Sequence, residues 1–182
     1  MKKTVLFFTT AMLLSMGLWS CGKDSDNRSS STGGNSGGDN PGTSTVEWVD
    51  LGLSSGTIWK TTNEGPENPS HSSDFYSYYR ATTEFGDSLP SREQYEELVN
   101  ECDWSWTGEG YSVVGPNGDS IYFPAAGWYD VHGGHYTGEG FYWSSTPEGD
   151  EFSWALRFGR TFHHVAWYYY ICYGSVRLVQ NP

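Results

Sequence analysis

The chain has 182 residues, of which 22 are acidic and 10 basic, and its formal net charge is −12 at pH 7. Such an acidic surface disfavours nucleic acid and anionic membrane lipid as partners, because both are negatively charged and repel it. Aromatic residues make up 17% of the chain, enough to fill a core, to form a binding surface, or to do both.

The N-terminus has the pattern of a lipoprotein signal peptide. Two lysines precede a mostly apolar run, residues 4–19, which is shorter than the roughly 20 residues that a membrane span needs. The run ends in Leu-Trp-Ser-Cys, which resembles the bacterial lipobox, where the cysteine is acylated, with palmitate for example, and becomes the mature N-terminus. We predict a signal peptide over residues 1–20 and lipidation of Cys21. An ordinary cleaved signal with a chance cysteine is the alternative.

Residues 21–45 are expected to form the lipidated cysteine and a flexible linker. After Cys21 the segment holds no aliphatic or aromatic side chain, so burial cannot offset the entropy lost on ordering it. Its acid-rich start resembles the signal that sends lipoproteins to the outer face of Bacteroidetes-type bacteria. We therefore expect lipid anchoring in the outer membrane, at the cell surface of a Gram-negative bacterium, with the anchor as the only membrane contact.

Residues 46–182 have the length of one domain. Alternating side chains predict strands over Val46–Leu53 and Gly56–Trp59. A segment rich in Pro, Ser and Asn follows and predicts a loop over Asn63–Ser73. The aromatic run Asp74–Arg80 is compatible with either a short helix or a packed turn.

The clearest helix is predicted over Ser91–Glu101. Ser91 and Gln94 stand three residues apart and can form a capping box, in which each side chain accepts the other residue's free backbone N–H. Four apolar positions then fall on one helical stripe that should face the core: Tyr95, Leu98, Val99 and Cys102.

Beyond this helix the pattern predicts short strands separated by turns. The predicted strands are Tyr111–Val114, Ser120–Phe123, Phe141–Ser144, Phe152–Phe158 and Ser175–Val179. The first two flank Gly115-Pro116-Asn117-Gly118-Asp119, a glycine turn that predicts a hairpin. Ala125–Gly140 is rich in glycine and predicts a long loop. One main helix among several short antiparallel strands and long loops indicates an α+β domain. Arg177, in the last predicted strand, is expected to meet a carboxylate and water at the domain surface or edge.

Several stretches together resemble the Fibrobacter succinogenes major paralogous domain. They are VDLGLSSGTIW (49–59), LPSREQYEELVNECDWSWT (89–107), GPNGDSIYFPAAG (115–127), YWSST (142–146) and YGSVRLV (173–179). The resemblance covers nearly all of residues 46–179. It implies a C-type-lectin-like or sulfatase-modifying-factor-like fold, the group that also includes the formylglycine-generating enzymes. In such folds the two termini meet in one sheet, and long loops form a binding face.

The functions of related folds carry over only in part. Formylglycine-generating enzymes bind copper through two cysteines, but Cys102 closes a core stripe here. Cys102 and Cys172 could pair as a disulfide or remain buried thiols. We therefore expect no enzyme, no cofactor and no metal, with an oxidoreductase of that group as a lesser alternative. The sugar-binding motifs of calcium-dependent lectins are absent, although loop carboxylates such as Asp119 and Asp130 leave a calcium site open.

The aromatic stretch near the C-terminus is the candidate ligand-binding surface. In a strand, successive side chains point to opposite faces, so one set can fill the core while the other stays exposed. The candidate residues are Phe162, His163, His164, Trp167, Tyr168, Tyr169, Tyr170 and Tyr173. In some relatives this place is diversified by retroelements, and most residues here belong to the set that such diversification permits.

Tyrosine and tryptophan suit a binding face, because they offer large contact area and a polar handle at low entropic cost. We expect a non-catalytic, adhesion-type domain that binds a glycan or, second, a host or bacterial protein. The alternative is a structural or fibre-associated surface protein with no soluble ligand. The pair His132 and His135 would need a third ligand to hold zinc, and none stands at a suitable spacing.

Overall fold

The computed structural model describes residues 47–182, which belong to one compact unit. The predicted signal peptide, the lipidation site Cys21 and the linker up to residue 45 lie outside the described residues. Within residues 47–182, no helix is both long and apolar enough to cross a membrane.

The described chain is α+β, as predicted, and consists mainly of short strands. Its two α-helices are α1 (Tyr78–Phe85) and α2 (Arg92–Glu101). Its strands are β1 (Trp48–Asp50), β2 (Ile58–Lys60), β3 (Tyr76–Ser77), β4 (Asp103–Trp106), β5 (Gly110–Val114), β6 (Ser120–Pro124), β7 (Trp128–Tyr129), β8 (His135–Tyr136), β9 (Gly140–Glu148), β10 (Phe152–Gly159), β11 (Phe162–Tyr169), β12 (Tyr173–Gly174) and β13 (Val179–Gln180).

The capping box predicted for α2 is present. The hydroxyl of Ser91 accepts the N–H of Gln94 at 3.3 Å, and the amide oxygen of Gln94 accepts the N–H of Ser91 at 2.8 Å. Tyr95 and Leu98 of the predicted stripe are buried. These contacts confirm both the start of α2 and the face that it turns to the core.

The helix α1 is a second, shorter helix, which begins inside the run Asp74–Arg80. Ser77 caps it by accepting the N–H of Arg80 at 3.3 Å. Arg80 also forms an ion pair with Glu84, four residues on, at 2.9 Å. The helix ends at Gly86, whose φ of 50° suits glycine. The aromatic residues at its start do not follow a helical period, so the sequence pattern alone left a helix and a turn open.

Four small sheets make up the fold, in the orders β1-β2-β13, β4-β5-β6, β3-β12-β7-β8 and β11-β10-β9. The central strand β2 pairs with β1 and with β13. The first and last described strands therefore share one sheet, as the family resemblance implies. The predicted hairpin is also present, since β5 pairs antiparallel with β6.

The strand predicted over Ser175–Val179 is wrong for its first four residues. β12 ends at Gly174, β13 begins at Val179, and between them Ser175 forms only an isolated parallel bridge to Tyr142. The backbone groups of this segment bond to several different elements: Ser175 to Phe141 and Trp143, Val176 to Glu64, and Leu178 to Lys60. Because no single neighbour runs alongside the segment, no regular ladder forms.

The sheet β11-β10-β9 divides the core into two clusters, because successive side chains point to opposite faces. Cluster 1 lies on the side of α2, β5 and β6, and cluster 2 lies on the side of α1 and the segment around β12. On β9, Tyr142 joins cluster 1, whereas Phe141 and Trp143 join cluster 2. On β10, Leu156 joins cluster 1 and Ala155 joins cluster 2. Both faces of this sheet are therefore covered near its centre.

The two cysteines lie in different clusters as free thiols. Cys102 packs against cluster 1 and Cys172 belongs to cluster 2. Burial raises the pKa of each thiol to about 11. Of the two alternatives for this pair, the structure has free thiols, with Cys172 buried and Cys102 partly buried.

His163, the second residue of β11, packs inward against cluster 1. Its ring stacks on the Trp104 indole, with centroids 4.7 Å apart and planes 7° apart, and meets the edge of Tyr111 at 5.5 Å. Burial, and secondarily the neighbouring His164, lowers the pKa of His163. The imidazole is therefore held in its neutral form more strongly than in an unfolded chain.

Arg177 is buried, so the prediction that it meets a carboxylate at the surface is wrong. Its side chain donates to Asn63 Oδ1 at 2.9 Å and to two backbone carbonyls, those of Lys60 at 2.9 Å and Tyr122 at 2.8 Å. Its guanidinium also lies 4.7 Å from the centre of the Phe123 ring. No carboxylate lies within ion-pair distance of Arg177 in the described part of the chain. The residue thus ties β2, the following loop and β6 together through neutral acceptors.

We predict that Arg177→Met destabilises the fold by about 3 kcal/mol or more, because it leaves several buried acceptors without donors. Urea unfolding of residues 22–182 measures this loss, with Arg160→Met at an exposed hairpin turn as the matched control. A loss for Arg177→Met no larger than that of the control would contradict the structural role.

We also predict an acid-sensitive contribution from His163. Because its folded pKa lies below the unfolded value, the unfolded chain binds the extra proton first. The contribution to stability is complete above about pH 6.5 and is lost as the pH falls toward the lowered folded value. In unfolding curves recorded from pH 7.5 to 5, His163→Phe should flatten this decline, whereas His132→Gln, in an exposed loop, should not. Equal declines in the two variants would refute the assignment.

Candidate ligand-binding surface

β11 carries most of the predicted ligand-binding residues, and its pairing with β10 determines where each side chain points. The register places His163 opposite Phe158 and Val165 opposite Leu156, and both partners belong to cluster 1. Odd-numbered side chains of β11 therefore share the cluster 1 face of the sheet, and even-numbered ones share the cluster 2 face.

Trp167 and Tyr169 are the exposed members of the cluster 1 face, with 53% and 48% of their surface accessible. Trp167 lies opposite Trp154 of β10, and Tyr169 lies opposite Phe152. The Phe152 ring centre is 4.4 Å from that of Tyr169 and 4.9 Å from that of Trp167. We call these four residues, Phe152, Trp154, Trp167 and Tyr169, the aromatic strip.

Charged side chains border the strip at Trp154. The guanidinium of Arg92, at the start of α2, lies 3.8 Å from the centre of the Trp154 ring and also pairs with Glu96 at 2.7 Å. The Trp154 indole N–H donates to Glu148 at 2.8 Å. These contacts fix the orientation of the ring, so the strip combines an ordered apolar surface with a polar rim.

The cluster 2 face of β11 is occupied by contacts within the molecule. Arg157 pairs with Glu139 at 2.9 Å, and its guanidinium lies between 5.0 and 5.9 Å from the rings of Trp128, Phe162 and Tyr168. His164 faces the Tyr168 hydroxyl at 3.4 Å. Burial, and then the charge of Arg157, lowers the pKa of His164. Three of the predicted residues, Phe162, His164 and Tyr168, thus surround an arginine of the same chain.

Tyr170 is buried, so the structure places it in the core and not on the predicted binding surface. Its ring stacks on Tyr78 with centroids 4.4 Å apart, and its hydroxyl donates to the Gly149 carbonyl. Tyr173 is partly exposed and lines a cleft of about 400 Å³ with Ile171 and Asp130. The predicted residues are therefore spread over two sheet faces, the core and this separate cleft.

Asp130 and His135 have partners within the β7–β8 hairpin. Asp130 accepts the N–H groups of His132 at 2.8 Å and Gly134 at 2.7 Å, and the Tyr136 hydroxyl donates to it at 3.1 Å. The Gly134 hydrogen bond is the largest of the effects that lower its pKa. His135 stacks on Tyr129, with centroids 4.2 Å apart. Within residues 47–182, no three His, Cys, Asp or Glu side chains come together as a metal site.

A larger cleft, of about 970 Å³, lies beside the loop after β2. Tyr122, Asn68 and Arg177 are among the residues that line it. The hydrogen bonds of Arg177 described above go to backbone carbonyls and to Asn63. This cleft is a second place where a polar ligand could be held, and sequence patterns did not indicate it.

Sequence reasoning placed Trp167 and Tyr169 in the candidate surface but missed Phe152 and Trp154. Along β10 these two residues alternate with Ser153 and Ala155, which are buried. The alternation of every second residue was visible in the sequence. Their position beside Trp167 and Tyr169 depends on the two-residue turn Arg160–Thr161, which sets the β10–β11 register.

A family model described as "Domain of unknown function (DUF8237)" matches residues 91–179. The matched segment begins at the cap of α2 and ends at the first residue of β13, so it contains the whole aromatic strip. No curated protein and no solved structure matches the chain.

Proposed function

We propose that this protein is a lipid-anchored surface protein whose single lectin-like domain binds a ligand without catalysis. The observation that carries the proposal is the aromatic strip, in which two largely exposed rings lie beside two partly buried ones on an ordered pair of strands. Isolated exposed aromatic residues are ordinary, but a contiguous and oriented set is typical of binding surfaces.

A glycan is the ligand class that we favour. The C–H-lined faces of sugar rings pack on aromatic rings, and the polar rim around Trp154 offers donors and acceptors for hydroxyl groups. The strip stands on a sheet whose other rings are packed, so little ordering would be needed on binding. A protein ligand is the second class.

The lectin-like fold and the membership of the Fibrobacter succinogenes major paralogous domain family are part of this proposal. They are supported by the motifs at residues 49–59, 89–107 and 173–179 and by the sheet that joins β1, β2 and β13. Lipidation of Cys21, and a tether that holds the domain off an outer membrane, follow from the N-terminal pattern alone.

A structural surface protein with no soluble ligand remains the competing function. The observation that favours it is the packing of His163, Tyr168 and Tyr170. Much of the terminal aromatic stretch stabilises the fold and requires no ligand to explain it.

We predict that purified residues 22–182 bind members of a panel of neutral and acidic glycans, and that Trp167→Ser/Tyr169→Ser weakens binding about tenfold or more, since it removes two central contact rings. Calorimetry or glycan-array titration measures the change, with and without a chelator. Tyr122→Ser, at an exposed tyrosine of the larger cleft, is the matched control, and both variants should still unfold cooperatively.

The outcomes separate the candidate functions. Loss of binding in the control variant alone would move the site to the larger cleft. Binding to host or bacterial proteins without glycans would favour the second ligand class. An intact domain that binds neither class would support the structural function and overturn the proposal.

A further inference from the structure

The strand β11 is the outer edge of its sheet, since it pairs with β10 alone. It is eight residues long, whereas the edge strands β1 and β4 of two other sheets have three and four. The opposite edge of the same sheet, β9, is covered: Trp143 donates to the Ser175 carbonyl, Ser175 to Phe141, and Ser145 to Pro90. Long edges with unpaired backbone groups are the places where extended chains add to a sheet.

The register shows which backbone groups of β11 face outward. Tyr170 donates its N–H to the Glu151 carbonyl at 2.9 Å, which makes these two residues a hydrogen-bonded pair in the β10–β11 ladder. Hydrogen-bonded and non-hydrogen-bonded pairs alternate in antiparallel sheets. The even-numbered residues of β11 therefore bond to β10, and the N–H and C=O groups of His163, Val165 and Trp167 point away from it.

Among the described residues, no hydrogen bond reaches the outward backbone groups of His163, Val165 or Trp167. Tyr169 also has an outward N–H, but its carbonyl already accepts the N–H of Cys172 at 3.0 Å. His163, Val165 and Trp167, which alternate along the strand, thus present three N–H donors and three C=O acceptors at the spacing of a β ladder.

The side chains of β11 do not protect this edge. Natural edge strands are commonly blocked by lysine, proline or inward-pointing charges. The β11 sequence FHHVAWYY contains no Lys, Arg, Asp, Glu or Pro, although the whole chain has a net charge of −12. Pairing two copies of β11 therefore brings no acidic side chains of the strand together.

We propose that β11 is a self-association edge, on which β11 of a second copy adds antiparallel about a two-fold axis to form a continuous six-stranded sheet. A two-fold axis at Val165 satisfies all outward groups of His163, Val165 and Trp167. Each copy then contributes the same three residues, and six new hydrogen bonds form.

The side chains that face each other in this register are compatible. His163 lies opposite the second copy's Trp167, and Phe162 lies opposite its Tyr168, so aromatic rings form cross-strand pairs. His164 lies opposite the second copy's Ala166, so the strand's ionisable side chains do not lie directly opposite one another. The aromatic strips of the two copies would then lie on the same face of one sheet. A ligand with repeating units could bind both strips at once.

Sedimentation velocity of residues 22–182 over a wide concentration range tests the proposal, and a species of twice the monomer mass is expected to grow with concentration. Trp167→Pro removes an outward N–H and leaves the hydrogen bonds between β11 and β10 in place. It should raise the dissociation constant of the dimer at least tenfold. Trp167→Ala loses the same ring and keeps the N–H, so it should remain far closer to the unaltered chain. Equal effects of the two variants would contradict pairing through the backbone.

A second measurement needs no variant. Amide hydrogen exchange followed by NMR should show the N–H groups of Val165 and Trp167 protected at high protein concentration and exposed at low concentration, whereas Ala166 should be protected at both. A chain that stays monomeric at all concentrations, or outward amides that exchange rapidly in the dimer, would overturn the proposal.

Discussion

The sheet β11-β10-β9 must bury both of its faces at its centre, and the rest of the domain is arranged around this requirement. Phe141, Tyr142 and Trp143 are consecutive and fully buried, which is possible only because separate layers cover the two sides. The helix α2 and the sheet β4-β5-β6 supply cluster 1, whereas α1 and the segment around β12 contribute to cluster 2.

These layers cover β11 only in part, which explains why some of its side chains are buried and others are exposed. At the start of the strand, the Trp104 ring covers His163, so an odd-numbered residue packs inward there. Toward the end, the cover lies on the other face: Tyr168 packs against cluster 2 and Tyr170 stacks on Tyr78, while Trp167 and Tyr169 stay exposed. The same strand thus changes the face that it buries, and the aromatic strip is what remains uncovered.

Local rules predicted the elements whose structure is decided locally. The Ser91–Gln94 box specified the start of α2, and the glycine turn before β6 specified a hairpin, because both depend on neighbouring residues alone. The segment Ser175–Leu178 has strand-forming composition, yet its backbone bonds to several separate elements. Only the tertiary arrangement decides such a case.

The candidate site was also predictable from the sequence only in part. An alternation of two along β11 was visible in the sequence, and it correctly separated the side chains of Tyr168 and Tyr170 from those of Trp167 and Tyr169. Which set is exposed depends on helices and sheets distant in sequence, so the pattern could not assign it. Buried Arg177 shows the same limit, because its acceptors come from β2, the following loop and β6.

The measurement that tests this account most directly is the free energy of unfolding of two double variants. Trp167→Ser/Tyr169→Ser removes exposed rings and should cost only about 1 kcal/mol, from lost cross-strand contacts. Tyr168→Ser/Tyr170→Ser removes rings packed against cluster 2 and should cost about 4 kcal/mol or more. Equal losses would contradict the account, because they would show that both faces of the terminal strand serve as core and that no aromatic surface is left for a ligand.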